Sequence, residues 1–276
     1  MTSPVPVIIA AAPTGAYKSA AEYPNLPESP AAIADEAARC VEAGASMLHL
    51  HVRDPAGRHT LDAQAYREAV KAVRDRVGDD LLIQLTSEQA RVYDSAAQID
   101  AIDAIEGEFM SIALAEVTAS GNDADLARLA ALADRLERRG TRVQWILYSA
   151  DQLDEFRRLQ AAGILPNAPT PLLFVLGRYL RDRSSEPADL GPFLDCPVDA
   201  DPWMVCAFGT REIECMRHAA THGGHVRVGF ENNTVRPDGA PLASTAESVA
   251  LARDALVADG REIADAAAAR RILLGG

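Results

Sequence analysis

The chain alternates short, almost uninterrupted apolar runs with longer amphipathic stretches from one end to the other, and this pattern admits few folds. A strand that is apolar at every position must be buried on both faces, which happens when helices cover both sides of a parallel sheet. Eight such runs can be counted, at 5–11, 46–52, 81–86, 109–114, 142–148, 171–176, 203–208 and 225–230. Helical patterns fill the gaps at 30–43, 63–77, 94–105, 123–139, 150–162, 211–222 and 245–259, and the stretch 264–274 is expected to pack as a closing helix. The first of them follows Ser29-Pro30, a cap and first-turn pair, and stops at Gly44 as a helix C-terminus should. The connection 178–201 is irregular and rich in charge and proline.

Eight strands in strict alternation with helices predict an α/β fold, a single TIM (β/α)8 barrel over residues 1–276, since such barrels commonly occupy roughly 250 residues as one unit. An open doubly wound sheet is the alternative, but no Gly-x-Gly-x-x-Gly follows the first strand to mark a dinucleotide site. The formal charge of −13, with no dense Lys/Arg run to offset it, excludes nucleic acid and anionic membranes as natural partners. No apolar run approaches the roughly 18 residues of a membrane span. Residues 5–12 lack a preceding basic segment and are interrupted by Pro6, so they do not read as a signal helix. Cys40, Cys196, Cys206 and Cys215 show neither metal spacing nor the density of a disulfide scaffold, which fits reduced thiols in a cytoplasmic protein.

Barrel active sites form at the C-terminal ends of the strands. Along the second strand, Ser46-Met47-Leu48-His49-Leu50-His51-Val52, period-two alternation puts Met47, His49 and His51 on one face and the leucines on the other. Two imidazoles aimed into a barrel mouth need partners, and a shared cation would serve both, although two separately hydrogen-bonded histidines satisfy the pattern equally well. The eighth strand, His225-Val226-Arg227-Val228-Gly229-Phe230-Glu231, places Arg227, Gly229 and Glu231 together with Glu231 at the tip. Closure of a barrel makes strands eight, one and two neighbours. His49, His51 and Glu231 therefore form a candidate set of metal ligands with open positions left over, the arrangement of a catalytic zinc site.

Arg227 on the same face is expected to hold a substrate carboxylate, or else to form an ion pair inside the barrel. Arg53 and Asp54 follow the histidines and either support them or shape the Asp54-Pro55-Ala56-Gly57 turn. The third strand ends Gln84-Leu85-Thr86-Ser87-Glu88-Gln89, and the fourth contributes Ser111 with Glu116 beyond it. Thr86, Ser87 and Ser111 are expected to hydrogen-bond the substrate, as no Ser-His-Asp order is present. His59, His218 and His222 read as surface residues, and His225, at the start of its strand, as structural.

These residues sit in a chain that resembles the β-keto acid cleavage enzymes over nearly its whole length. The resemblance rests on Thr14-Gly15-Ala16, Pro24-Asn25-Leu26-Pro27, Glu42-Ala43-Gly44-Ala45 leading to His49-Leu50-His51, Phe174-Val175-Leu176-Gly177, and Gly223-Gly224-His225 through Glu231. It implies Zn2+, or another divalent ion, on His49, His51 and Glu231, a homo-oligomeric assembly, and condensation of a β-keto acid with acetyl-CoA to give acetoacetate and a new acyl-CoA. In that chemistry the metal polarises the β-keto carbonyl, an enolate attacks the thioester, and CoA transfer with retro-Claisen cleavage divides the carbon chain.

Three positions depart from the family pattern. Its Glu-Asp-Asn after the eighth strand is Glu231-Asn232-Asn233 here, so the carboxylate credited with proton abstraction is an amide, and Asn232 is expected only to position substrate. Its Ser-Thr-Gly-Gly is Thr86-Ser87-Glu88-Gln89, and the acid that can follow Thr-Gly-Ala and contact a substrate amino group is Tyr17, which argues against a cationic amino-keto acid. Glu88 or Glu116 is expected to supply the missing base. Arg178, Arg181 and Arg183 would either receive CoA phosphates or form a solvated ion-paired loop. Two other readings stay open: a metal-dependent aldolase or hydrolase that uses no CoA, and a metal-binding homologue without turnover.

Overall fold

The structure is a computed structural model that describes residues 5–177, 184–196 and 201–275. Eight parallel strands close into a barrel: β1 (Ile9–Ala11), β2 (Met47–Leu50), β5 (Leu82–Thr86), β6 (Phe109–Ala113), β7 (Arg142–Leu147), β8 (Leu172–Val175), β9 (Trp203–Cys206) and β10 (His225–Val228). Each falls inside one of the eight apolar runs. The ring closes where β1 pairs with β10 on one side, Ala10 opposite Arg227, and with β2 on the other, Ala10 opposite Met47. Arg178, Arg181 and Arg183 lie outside the described residues.

Helices α1 (Pro30–Ala43), α2 (Ala63–Val77), α3 (Ser95–Ala104), α5 (Asp123–Arg138), α6 (Ala150–Ala161), α8 (Glu212–Thr221) and α9 (Thr245–Ala258) cover the outside, with one-turn helices α4 (Leu114–Val117) and α7 (Gly191–Leu194) in the loops. α1 shows why the sequence boundaries were readable: the Ser29 side chain accepts from Ala32 N, and Gly44, at φ +111°, accepts the left-handed turn that ends the helix. Leu48 and Leu50 face outward into the layer between strands and helices, together with Ile33, Tyr66, Ala69 and Val73. The inner floor of the barrel is apolar too: Ile8, Met47, Leu82, Phe109, Leu173 and Met204 meet Ala268, Ala269 and Leu273, so α10 (Ala266–Arg270) and the π-turn after it plug the N-terminal end.

Besides the one-turn helices α4 and α7, a hairpin escaped the sequence pattern. Val52–Arg53 (β3) and His59–Thr60 (β4) pair as a short antiparallel hairpin directly after β2. The Asp54 carboxylate accepts from Ala56 N and Arg58 N, both at 2.9 Å, and Gly57 supplies a positive φ. Two-residue strands are too short for alternation to register, so the segment reads from sequence only as a turn. No helix among the described residues is long and apolar enough to cross a membrane.

Gly229 decides where β10 ends. Its φ is +133°, and a Cβ there would lie 2.6 Å from the Ala12 carbonyl oxygen and 2.7 Å from Thr245 Cγ2. This close approach lets Glu231 N donate to the Ala12 carbonyl at 3.0 Å, which swings the Glu231 side chain over the mouth beside β2.

Candidate metal centre and reaction pocket

At the C-terminal mouth the barrel interior changes from apolar to polar, and three donor atoms converge there. His49 Nε2 lies 3.1 Å from His51 Nε2 and 3.3 Å from Glu231 Oε2, and His51 Nε2 lies 3.1 Å from the same carboxylate oxygen. All three side chains are buried. Burial drives the His49 imidazolium down to a pKa of about 3, so the ring is neutral at physiological pH and carries a lone pair. Burial pushes the Glu231 carboxyl upward, but the Arg227 guanidinium, whose Nη2 sits 3.0 Å from Glu231 Oε1, together with the two imidazoles, reverses this and holds it well below the usual carboxylate range. Glu231 Oε2 is buried with only the two imidazole nitrogens close to it. Electron-rich atoms packed this closely repel unless something positive sits among them, and two imidazoles with one carboxylate suit a divalent ion with positions to spare. The residues present therefore fit a metal.

Around the triad, Thr86, Glu88, Ala113, Ile146, Tyr148, Val175, Phe208, Arg227 and Asn232 wall a cavity of about 20 Å3, room for a single water. Asn232 is buried in this wall with both amide atoms unpartnered. A wider cleft of about 520 Å3 lies outside the barrel against α1 and α2, lined by Glu28, Asp54, Asp62 and Glu68 among others, and holds none of the three ligands.

The two candidate bases part company here. Glu88 Oε2 lies 3.8 Å from His51 Nε2, and the Tyr17 hydroxyl hydrogen-bonds its carboxyl. Burial, reinforced by the carboxylates of Glu231 and Glu116, raises its pKa to about 8. A divalent ion on the triad would add positive charge next to it and draw that value down. Glu116 is turned elsewhere: its Oε2 accepts from Gln89 N at 3.1 Å and from Gln98 Nε2 at 2.6 Å. It braces the loop that carries Glu88, a loop in which Ala90 and Arg91 both hold positive φ.

Of the residues expected to bind substrate, Thr86 reaches the cavity, and its Oγ1 also accepts from Glu88 N at 3.2 Å. Tyr17 stands at the rim, 50% exposed. Ser87 is not in the wall, because its hydroxyl donates to the Ser111 carbonyl at 2.8 Å, and Ser111 is buried away from the cavity lining. Arg53 holds the Gly15–Lys18 loop by donating to the carbonyls of Gly15, Ala16 and Lys18. His225 is structural, its Nδ1 accepting from Ile8 N at 3.2 Å.

His59 corrects the surface reading. It is buried beneath the site, with its ring centre 5.8 Å from that of His51 and Nε2 2.7 Å from the Glu88 carbonyl. The β3–β4 hairpin folds it back, which a loop assignment cannot foresee. Sequence reasoning also passed over Glu212 and Gln144, and for Gln144 a signal exists: it is a polar residue at an inward position of a strand that is otherwise apolar after Arg142.

Glu212 is fully buried behind the mouth. Its Oε2 accepts from Asn233 Nδ2 at 3.0 Å and Ser248 Oγ at 3.3 Å, while Oε1 has no partner. Burial raises its pKa from 4.5 to about 8 against the pull of those two donors. The fold thus favours the neutral acid: the penalty is absent below the ordinary pKa, grows as pH rises, and is complete above the raised value. Glutamine reproduces the neutral acid, so Glu212→Gln is expected to raise the thermal midpoint by several degrees at about pH 9 and by distinctly less at about pH 6. Melting curves of both proteins at the two pH values test this, and an equal shift at both would contradict it.

The comparison with known proteins is decisive for the family. A profile of the beta-keto acid cleavage enzymes matches residues 6–274. The chain belongs to the beta-keto acid cleavage enzyme family. Among curated relatives, the 3-keto-5-aminohexanoate cleavage enzyme of Fusobacterium nucleatum is 28% identical over 270 residues, covering 97% of each chain. The 3,5-dioxohexanoate:acetyl-CoA acetone transferase of Paraburkholderia graminis is 25% identical over 298 residues, covering 97% of this chain and 95% of its own. A solved ternary complex of ObcA with a C4-CoA adduct and oxalate superposes with a TM-score of 0.72 at 21% identity, over 91% of this chain and 67% of that one, and shares the fold.

Proposed function

We propose that the protein condenses a β-keto acid with acetyl-CoA at a Zn2+ centre held by His49, His51 and Glu231, releasing acetoacetate and a new acyl-CoA. The observation that carries this reading is the convergence of the three donor atoms at the barrel mouth in a chain of this family. The name of the Paraburkholderia relative, a 3,5-dioxohexanoate:acetyl-CoA acetone transferase, pairs a keto acid with acetyl-CoA and supports thioester chemistry in this family. Bound Zn2+ would supply Lewis-acid stabilisation of a developing oxyanion.

The chain's own residues divide the remaining work. Glu88, the carboxylate in the cavity that is not a ligand, takes the proton from the carbon between the keto and acid groups. That carbon then bonds to the acetyl carbonyl carbon as CoA thiolate leaves. The thiolate next attacks the original keto carbon, the old carbon–carbon bond breaks, and Glu88 returns the proton to acetoacetate. Arg227 orients the substrate carboxylate. Asn232 offers its amide to the substrate and Thr86 its hydroxyl, while Tyr17 steadies Glu88 from the rim. The ends of β6 to β9 present Ala113, Ile146, Val175 and Phe208, a wall with no charge, which suits a β-keto acid with a short apolar tail. The tight cavity means that Tyr148 or Phe208 must turn aside to admit it. The protein works in the cytoplasm as a homo-oligomer, in keeping with four unpaired thiols and the family resemblance.

Incubating Zn2+-loaded protein with a panel of β-keto acids and acetyl-labelled acetyl-CoA tests the reading. Label should appear in the methyl and keto carbons of acetoacetate. Equal consumption of keto acid without acetyl-CoA would favour an aldolase or hydrolase and overturn it.

A further inference from the structure

Gln84 and Gln144 are both fully buried inside the barrel, Gln84 at the register position of the metal ligand His49. Burying two carboxamides among aliphatic side chains costs free energy unless every polar end is paired. Met47, Leu82 and Phe109 show that the floor of this barrel is built without such groups. The two amides line up end to end. Gln144 Nε2 donates to the Leu172 carbonyl at 3.3 Å, Gln84 Nε2 donates to Gln144 Oε1 at 2.9 Å, and Gln84 Oε1 meets His49 Nδ1 at 2.8 Å. The strands set this up: Gln84 pairs with His49 across β5 and β2, and the intervening β6 places the small Ser111 at the register position of Gln144.

We infer that Gln84 and Gln144 are positioning residues that fix the tautomer of His49 and hold its Nε2 lone pair on the metal centre. The direction of the chain follows from its far end. A backbone carbonyl can only accept, so the Gln144 amide must turn its nitrogen toward Leu172 and its oxygen toward Gln84. Gln84 must then turn its nitrogen toward Gln144 and its oxygen toward His49. An oxygen facing Nδ1 requires the proton there, which leaves Nε2 bare. The hold is unequal, because the buried Nδ1 of His51 has no hydrogen-bond partner. His49 is thus held from behind by the protein before any ion arrives, whereas His51 is held only on the Nε2 side that faces the site.

The inference rests on the metal-centre reading, and metal titration separates the two. Zn2+ affinity would be measured by competition with a chromogenic chelator for the wild-type protein and for Gln84→Leu, Gln144→Leu and Gln84→Glu, with melting of the metal-free proteins recorded alongside. Gln84→Leu is expected to weaken binding about 10- to 100-fold. Gln144→Leu, which touches no ligand, should weaken it by roughly threefold to tenfold because the Gln84 amide is then free to flip. Gln84→Glu keeps an acceptor for Nδ1 and should stay much nearer wild type than Gln84→Leu. Co2+-loaded Gln144→Leu should also show a shifted visible absorption band, which a remote packing defect would not produce. Wild-type affinity in both leucine variants would overturn the relay while leaving the centre intact, and if Gln84→Leu does not fold, Gln144→Leu and Gln84→Glu decide alone. A wild-type protein that binds no divalent ion would overturn the centre and the relay together.

Discussion

Stripping Zn2+ with a chelator, or replacing His51 with alanine, is expected to cut turnover of a β-keto acid by about a thousandfold or more. A Lewis acid contributes several kcal/mol to an enolate-forming step, and each 1.4 kcal/mol is about tenfold in rate. The loss should come with a change in stability. Without an ion, His49 Nε2, His51 Nε2 and Glu231 Oε2 stand 3.1–3.3 Å apart in a buried pocket. An ion present at a thousand times its dissociation constant would add about 4 kcal/mol to the folded state. For a barrel of this size that is a rise of roughly 10 °C in the thermal midpoint. Calorimetry of chelated, reconstituted and His51→Ala protein measures it directly. A midpoint that answers neither to chelator nor to added Zn2+ would remove the centre from the account.

Glu88→Gln is expected to lower kcat by about a hundredfold to ten-thousandfold while Zn2+ stays bound, the usual range for losing a general base. The two proteins should also differ in their pH profiles. Burial and neighbouring carboxylates raise Glu88 to about 8 in the metal-free site, and the ion lowers it, so the loaded wild type gains rate as pH rises through the lowered value. The Glu88→Gln protein should lack that rise. Glu116→Gln offers the control: its carboxylate braces Gln89 N and the Gln98 amide rather than facing the cavity, so it should lose less and keep the rise. Restoring the family acid in a Glu88→Gln, Asn232→Asp double variant should recover part of the rate, because position 232 lies in the same cavity wall. Full activity in the single Glu88→Gln variant would assign proton abstraction elsewhere.

How much was readable beforehand differs from residue to residue, and the differences have causes. Strands buried on both faces leave long apolar runs, and helix ends leave side-chain caps such as Ser29 and Asp62, so the eight strands and the bounds of α1 and α2 stand in the sequence directly. Alternation along β2 and β10 points His49, His51 and Glu231 the same way, and closure of the ring brings them together. Glu88 and Glu116 were indistinguishable, because both follow a strand end and nothing local says which one a backbone amide will capture. His59 looked like a loop residue because the hairpin that buries it is only two residues wide on each side.

The sequence by itself pointed to the barrel and to the three side chains that meet at its mouth, since periodicity aims them the same way, while an open sheet and separately bonded histidines remained compatible with that pattern until the ring was seen to close. The tertiary structure alone decided which carboxylate faces the cavity, how far Gly229 lets β10 lean on β1, and that two buried amides run from a backbone carbonyl to His49. These depend on distances of a few tenths of an ångström between strands far apart in the chain. No pattern of neighbouring residues encodes such distances, because they emerge only when the whole ring packs.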